Sequence, residues 1–112
     1  MTTITFHSRG DRLSGFTVSG HSGYAEAGAD IVCAAITSAV RLTECAVNDV
    51  LGLAASVKVR QAGVEITLTL PGGLGQANEE VCQTLLASLM VYFSQLQEEY
   101  PENILVLDED ET

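Results

Sequence analysis

The stretch GHSGYAEAGADIVCAAIT, from Gly20 to Thr37, gathers the residue types that can do covalent chemistry in this chain. His21 falls in a glycine-flanked loop, and Cys33 falls at the third position of a helix if Asp30 is that helix's cap. Attack on a peptide bond needs a thiolate, whereas a free cysteine with a pKa of ~8.5 is mostly protonated at neutral pH. Two features can favour the anion here: the partial positive charge of a helix's first turn and an imidazole that takes the thiol proton. Backbone N–H groups at the helix start can also face a carbonyl oxygen as it gains charge. Asp30 works against the thiolate if it lies close, and as a cap it is only partly free to orient His21. Gly20, Gly23 and Gly28 let the loop bend over a bound peptide, with Tyr24 either in that substrate loop or covering apolar surface. Spacing alone leaves a plainer reading open, because a cysteine within a helix is usually a small buried hydrophobe.

These residues need a scaffold, and 112 residues suffice for one compact domain with a single core. The expected organisation is one domain over residues 1–107 followed by an acidic tail, 108–112 (DEDET), that is solvated and disordered. The formal charge of −10, from 15 acidic and 5 basic side chains, repels nucleic-acid phosphates and favours a cationic protein partner. Cys33, Cys45 and Cys82 cannot all pair within one molecule, and no CxxC is present. With two histidines in the chain, reduced thiols and no metal site are expected. No uninterrupted apolar run approaches the ~18 residues of a membrane span. The opening MTTITFHSRG reads as a strand instead of a secretory signal, which makes a cytoplasmic location the expectation.

Along the chain, TITFHS alternates Ile4 and Phe6 with polar neighbours, RGDR signals a turn, and LSGFTVSG resumes with Phe16 and Val18 on one face. This is a hairpin ending at Gly20. A helix follows Asp30, with Ile31, Ala35, Leu42, Ala46 and Val50 as its stripe. SVKVRQAGVEITLTL gives a second hairpin around a turn at Ala62 and Gly63. Asn78, Glu79 and Glu80 suit a second helix start, with Val81, Leu85, Leu89, Tyr92 and Leu96 as its stripe and an end near Pro101. ILVL closes the order ββαββαβ. The fold class is therefore α+β, a mostly antiparallel sheet covered by two helices, with open edges that permit dimerisation. His7 falls opposite the apolar face of the first strand and reads as an exposed surface histidine. Cys45 and Cys82 read as packing residues, and Thr37 and Ser38 as hydroxyls able to bond a preceding helical carbonyl.

The run from Gly20 to Thr37 closely resembles the signature of the Prp family, the ribosomal-processing (YsxB-like) cysteine proteases. Its pattern is matched by Gly20 and His21, by Gly28, Asp30, Ile31, Val32 and Cys33, and by Ala34 and Ala35. The element order and the closing EEYPENILVL fit as well. The resemblance implies an endopeptidase that removes a short N-terminal extension from a large-subunit ribosomal protein, cutting after an aromatic residue in a hydrophobic sequence. It maps the nucleophile to Cys33, the general base to His21 and the family aspartate to Asp30. It further implies a homodimer, a flexible loop over the site, and no cofactor. One departure stands out: Thr37 occupies the place, one turn after the nucleophile, where the family usually has serine. A basic ribosomal protein suits an acidic enzyme. Two rival readings remain in view, a non-enzymatic dimeric module that binds an assembly protein and a redox-sensing thiol protein built on the same Cys33.

Overall fold

The computed structural model describes residues 1–20, 27–60 and 65–112 and, for residues 27–30, the backbone alone. Strands β1 (Thr2–Arg9) and β2 (Arg12–Ser19) form the first hairpin. Helix α1 (Ala27–Glu44) runs on into a π-helical segment, Cys45–Val50. Strands β3 (Ser56–Arg60) and β4 (Glu65–Thr69), helix α2 (Gln76–Glu99) and strand β5 (Ile104–Asp110) complete the order ββαββαβ. The expected α+β class is what the structure shows. The turn expected at Ala62 and Gly63 lies outside the described residues.

The sheet order is β3-β4-β2-β1-β5, with β5 parallel to β1 and the other pairs antiparallel. Alternation along β1 sends Ile4 and Phe6 to the helices and Thr5 and His7 to the opposite face. Phe6 packs against Phe16 and Phe93 with ring centroids 5.8 and 6.3 Å apart, joining the hairpin to α2. Such tilted pairs add ~0.5–1.5 kcal/mol beyond burial. Gly15 is required by close approach, since a Cβ there would lie 2.1 Å from the Leu68 carbonyl oxygen of β4.

Helix α1 is turned by one position from the expected stripe, and α2 keeps Leu89 and Leu96 of its stripe but replaces Val81, Leu85 and Tyr92 by their neighbours. Helix α1 and its π segment bury Val32, Ile36, Val40 and Val47, while Ile31, Leu42 and Val50 are 54, 71 and 77% exposed. Helix α2 buries Cys82, Leu86, Leu89, Phe93 and Leu96, leaving Val81 and Tyr92 largely exposed. Each helix is apolar on more than one face, so periodicity offered two adjacent stripes and the sheet selected one. An apolar groove between α1 and α2 is walled by Ala35, Ala39, Leu42, Leu85, Leu89 and Tyr92. The same excess apolarity makes Ile31–Val50, mean hydropathy 1.3, long and apolar enough to cross a membrane by composition. Arg41, Glu44 and Asp49 interrupt it, and its buried side chains belong to the core shared with the sheet.

Three local readings change. The acidic tail is part of the sheet: β5 continues to Asp110 in register with Ser8, and the Glu111 N–H donates to the Ser8 carbonyl at 2.8 Å. His7 is half-buried instead of exposed. Cys45, expected to pack, is exposed where α1 gives way to the π segment, whereas Cys82 is buried as expected.

Candidate active site

Helix α1 begins three residues before the expected cap, so Asp30 is its fourth residue and Cys33 its seventh. Asp30 therefore does not cap the helix. Cys33 lies in the second turn, with its own N–H in the hydrogen-bonded ladder. Free N–H donors and the helix's partial charge belong to the first turn. The N–H groups of the helix start, expected near Cys33, thus lie about one turn before it.

What the second turn does offer is a position over the end of the sheet. Cys33 and Thr37, one helical turn apart, line a cleft with Ile36 of the same helix, Thr2 of β1, Val18 of β2, Ile66 of β4 and Gly20. Its volume is about 250 Å³. That falls below the ~300–1,000 Å³ of a typical small-molecule site and suits a single side chain. Val18, Ile36 and Ile66 make its walls apolar, and the half-buried Cys33 thiol is accessible from it.

Gly20 shapes the exit from β2. Its φ of 71° is in the left-handed region, and a Cβ there would meet the Met1 carbonyl oxygen at 3.1 Å. The structure thus brings together Gly20, Cys33 and Thr37 of the expected site. His21, Gly23 and Tyr24 lie outside the described residues, as does the side chain of Asp30, while Gly28, expected in the substrate loop, is instead the second residue of α1. Thr2, Val18, Ile36 and Ile66 were missed by sequence reasoning. Alternation marked Val18 and Ile66 as inward-facing, but only the sheet order shows that they converge under Cys33.

The other cysteines lack this setting. Cys82 is fully buried, and burial followed by the charge of Glu79 pushes its thiol pKa up, against a smaller pull from Arg12. It stays a neutral packing residue. Cys45 is exposed away from the cleft.

The model of the family described as cysteine protease Prp matches residues 1–105. The chain belongs to that family. Its members are cysteine proteases, and so is this chain. It is 26% identical over 100 residues to the ribosomal processing cysteine protease Prp of Bacillus subtilis (strain 168), covering 89% of this chain and 88% of that one. The fold matches an essential ribosomal processing protease Prp from S. aureus, solved with a substrate peptide, at a TM-score of 0.82. That pair is 20% identical and covers 97% of this chain and all of the other. SMU.848 from Streptococcus mutans matches at a TM-score of 0.85 and 24% identity, over 99% of this chain and 96% of its own.

Proposed function

We propose that this Prp-family chain is an endopeptidase that removes the short N-terminal extension of a large-subunit ribosomal protein, with Cys33 as nucleophile and His21 as general base. The observation that carries the reading is the Cys33 thiol on an apolar cleft that ends at Gly20, the residue before His21. The names of the relatives agree with it. The Bacillus subtilis protein is a ribosomal processing protease, and an S. aureus Prp structure holds a covalently linked product peptide.

In the proposed reaction an aromatic side chain of the substrate enters between Val18, Ile36 and Ile66. His21 takes the Cys33 proton, and Sγ attacks the aromatic residue's own carbonyl carbon. The imidazolium returns the proton to the leaving amine as the C–N bond breaks, giving a thioester on Cys33. Water activated by His21 then hydrolyses the thioester and restores the thiol. The loop carrying Gly23 and Tyr24 folds over the peptide, and Thr37 lines the same cleft as the nucleophile. Cytoplasmic placement and a basic ribosomal substrate accord with reduced thiols and a charge of −10. The chain acts as a homodimer, to which the apolar groove between α1 and α2 lends support.

The test is cleavage, under reducing conditions, of a synthetic peptide with one phenylalanine in an apolar run. Wild type should cut after the aromatic residue, and Cys33→Ala and His21→Ala should each lose at least ~100-fold in rate with circular dichroism unchanged. Turnover retained by either variant contradicts the assignment. A wild type that alkylates readily at Cys33 but cuts no peptide would leave the redox-thiol reading instead.

A further inference from the structure

On the sheet face turned away from both helices, β1 and β5 bring an imidazole and two carboxylates together. His7 and Glu109 are register partners in the parallel pair, so their side chains stand side by side. Glu111 follows two residues on and has its backbone tied to Ser8. One ligand-type atom from each residue lies within 4.8 Å of the other two. We propose that His7, Glu109 and Glu111 form a site for one divalent cation of the zinc class.

The imidazole separates this group from an ordinary patch of surface acids. Its Nε2 lies 2.8 Å from Thr17 Oγ1, which lies 3.1 Å from Thr67 Oγ1, so two hydroxyls from β2 and β4 fix the ring. An oxygen partner on the far ring nitrogen is the usual orienting contact of a metal-bound histidine. The near nitrogen, Nδ1, is shielded from solvent and makes no hydrogen bond. Glu111 Oε1 lies 2.7 Å from it, an ion-pair contact when the ring is protonated. In the tautomer that carries its proton on Nε2, the Nδ1 lone pair would face the carboxylate oxygen, and a cation between them would satisfy both.

The dimensions permit this. Zinc–nitrogen and zinc–oxygen bonds of ~2.0–2.2 Å place neighbouring tetrahedral ligands about 3.3–3.5 Å apart. Glu111 would retreat by a fraction of an ångström and Glu109 would adjust to match, movements open to exposed side chains on a fixed backbone. One nitrogen with two carboxylate oxygens favours zinc, cobalt or nickel over calcium or magnesium, which prefer oxygen alone. Water completes the coordination from the open side. The family match ends at residue 105, so both carboxylates lie beyond it. The bound ion would clamp the end of β5 to β1, five residues along β1 from Thr2 at the Cys33 cleft, a separation of about 16 Å.

Isothermal titration with zinc chloride tests the site in the full chain carrying Cys33→Ser and Cys45→Ser, which removes the two accessible thiols as competing ligands. The expected result is one equivalent bound, with magnesium and calcium at least tenfold weaker. Zinc should also raise the thermal midpoint of this protein. Both effects should be lost in His7→Gln and in Glu109→Gln combined with Glu111→Gln; the second variant alters only exposed side chains and keeps the fold. No zinc binding by the parent overturns the proposal and leaves His7 and Glu111 as an ion pair. Unchanged binding in either variant overturns it too, placing the metal elsewhere, and calcium bound as tightly as zinc refutes the stated ion class.

Discussion

At one end of the sheet, Thr2, Val18 and Ile66 lie under the second and third turns of α1 and wall an apolar cleft around Cys33. At the other end, β1 and β5 continue past the hydrophobic core into His7, Glu109 and Glu111, with Arg12 bridging the β1–β2 hairpin to Glu79 of α2. The same strands supply both ends, yet the first lies within the residues matched by the family model and the second draws its carboxylates from beyond them. The difference teaches that the sheet is a shared frame. Its helix-covered face suits covalent chemistry, whereas its polar outer face offers fixed side-chain positions for charge.

The largest effect that separates frame from site is expected at Gly15, where β2 pairs with β4 between the two ends. Gly15→Ala drives a methyl into the Leu68 carbonyl, so urea unfolding should show a loss of about 3 kcal/mol. Activity at temperatures where the variant is folded should fall far less than in Cys33→Ala. A variant of wild-type stability would mean that β2 and β4 do not approach as described.

Filling the cleft should do the reverse. Ile66→Trp occupies space needed by the substrate's aromatic side chain while leaving the buried core intact. Cleavage is expected to fall by about tenfold or more through a higher KM, with unfolding within about 1 kcal/mol of wild type. An unchanged KM would remove the cleft from the account of specificity.

The smallest effect belongs to the opposite end. Arg12 Nε donates to Glu79 Oε1 at 2.8 Å and its guanidinium also reaches the Pro71 carbonyl, but both side chains are about one-third exposed. Glu79→Gln should therefore cost no more than about 1 kcal/mol, a loss that shrinks in high salt. A larger, salt-independent loss would make this contact a principal support of the hairpin.

These contrasts match what could be read in advance. Period-two alternation exposed both hairpins, because strands with one wet face leave their register in the sequence, and the element order then determined the α+β class. The helices were harder. Val32 and Ile31, or Leu86 and Leu85, are equally apolar neighbours, and only the position of the sheet decides which is buried. The tail misled for a similar reason: DEDET has the composition of a free end, but backbone pairing with β1 is indifferent to side-chain charge. His21 and Cys33 stood out because their types are chemically rare and sit in a specific run. Thr2 and Ile66 did not, since 64 positions separate them in the chain and only sheet pairing unites them beside the thiol.

The account rests on a division of labour among three thiols, and competitive alkylation measures it directly. Iodoacetamide at neutral pH, with modification located by peptide mass mapping, should label Cys33 first, Cys45 at the rate of an ordinary exposed cysteine, and buried Cys82 only on unfolding. Substrate peptide should protect Cys33 alone, and His21→Ala should slow its labelling to the Cys45 rate. Equal labelling of Cys33 and Cys45 in the wild type, or a Cys33 rate untouched by loss of His21, would contradict the assignment of Cys33 and His21 as the catalytic pair.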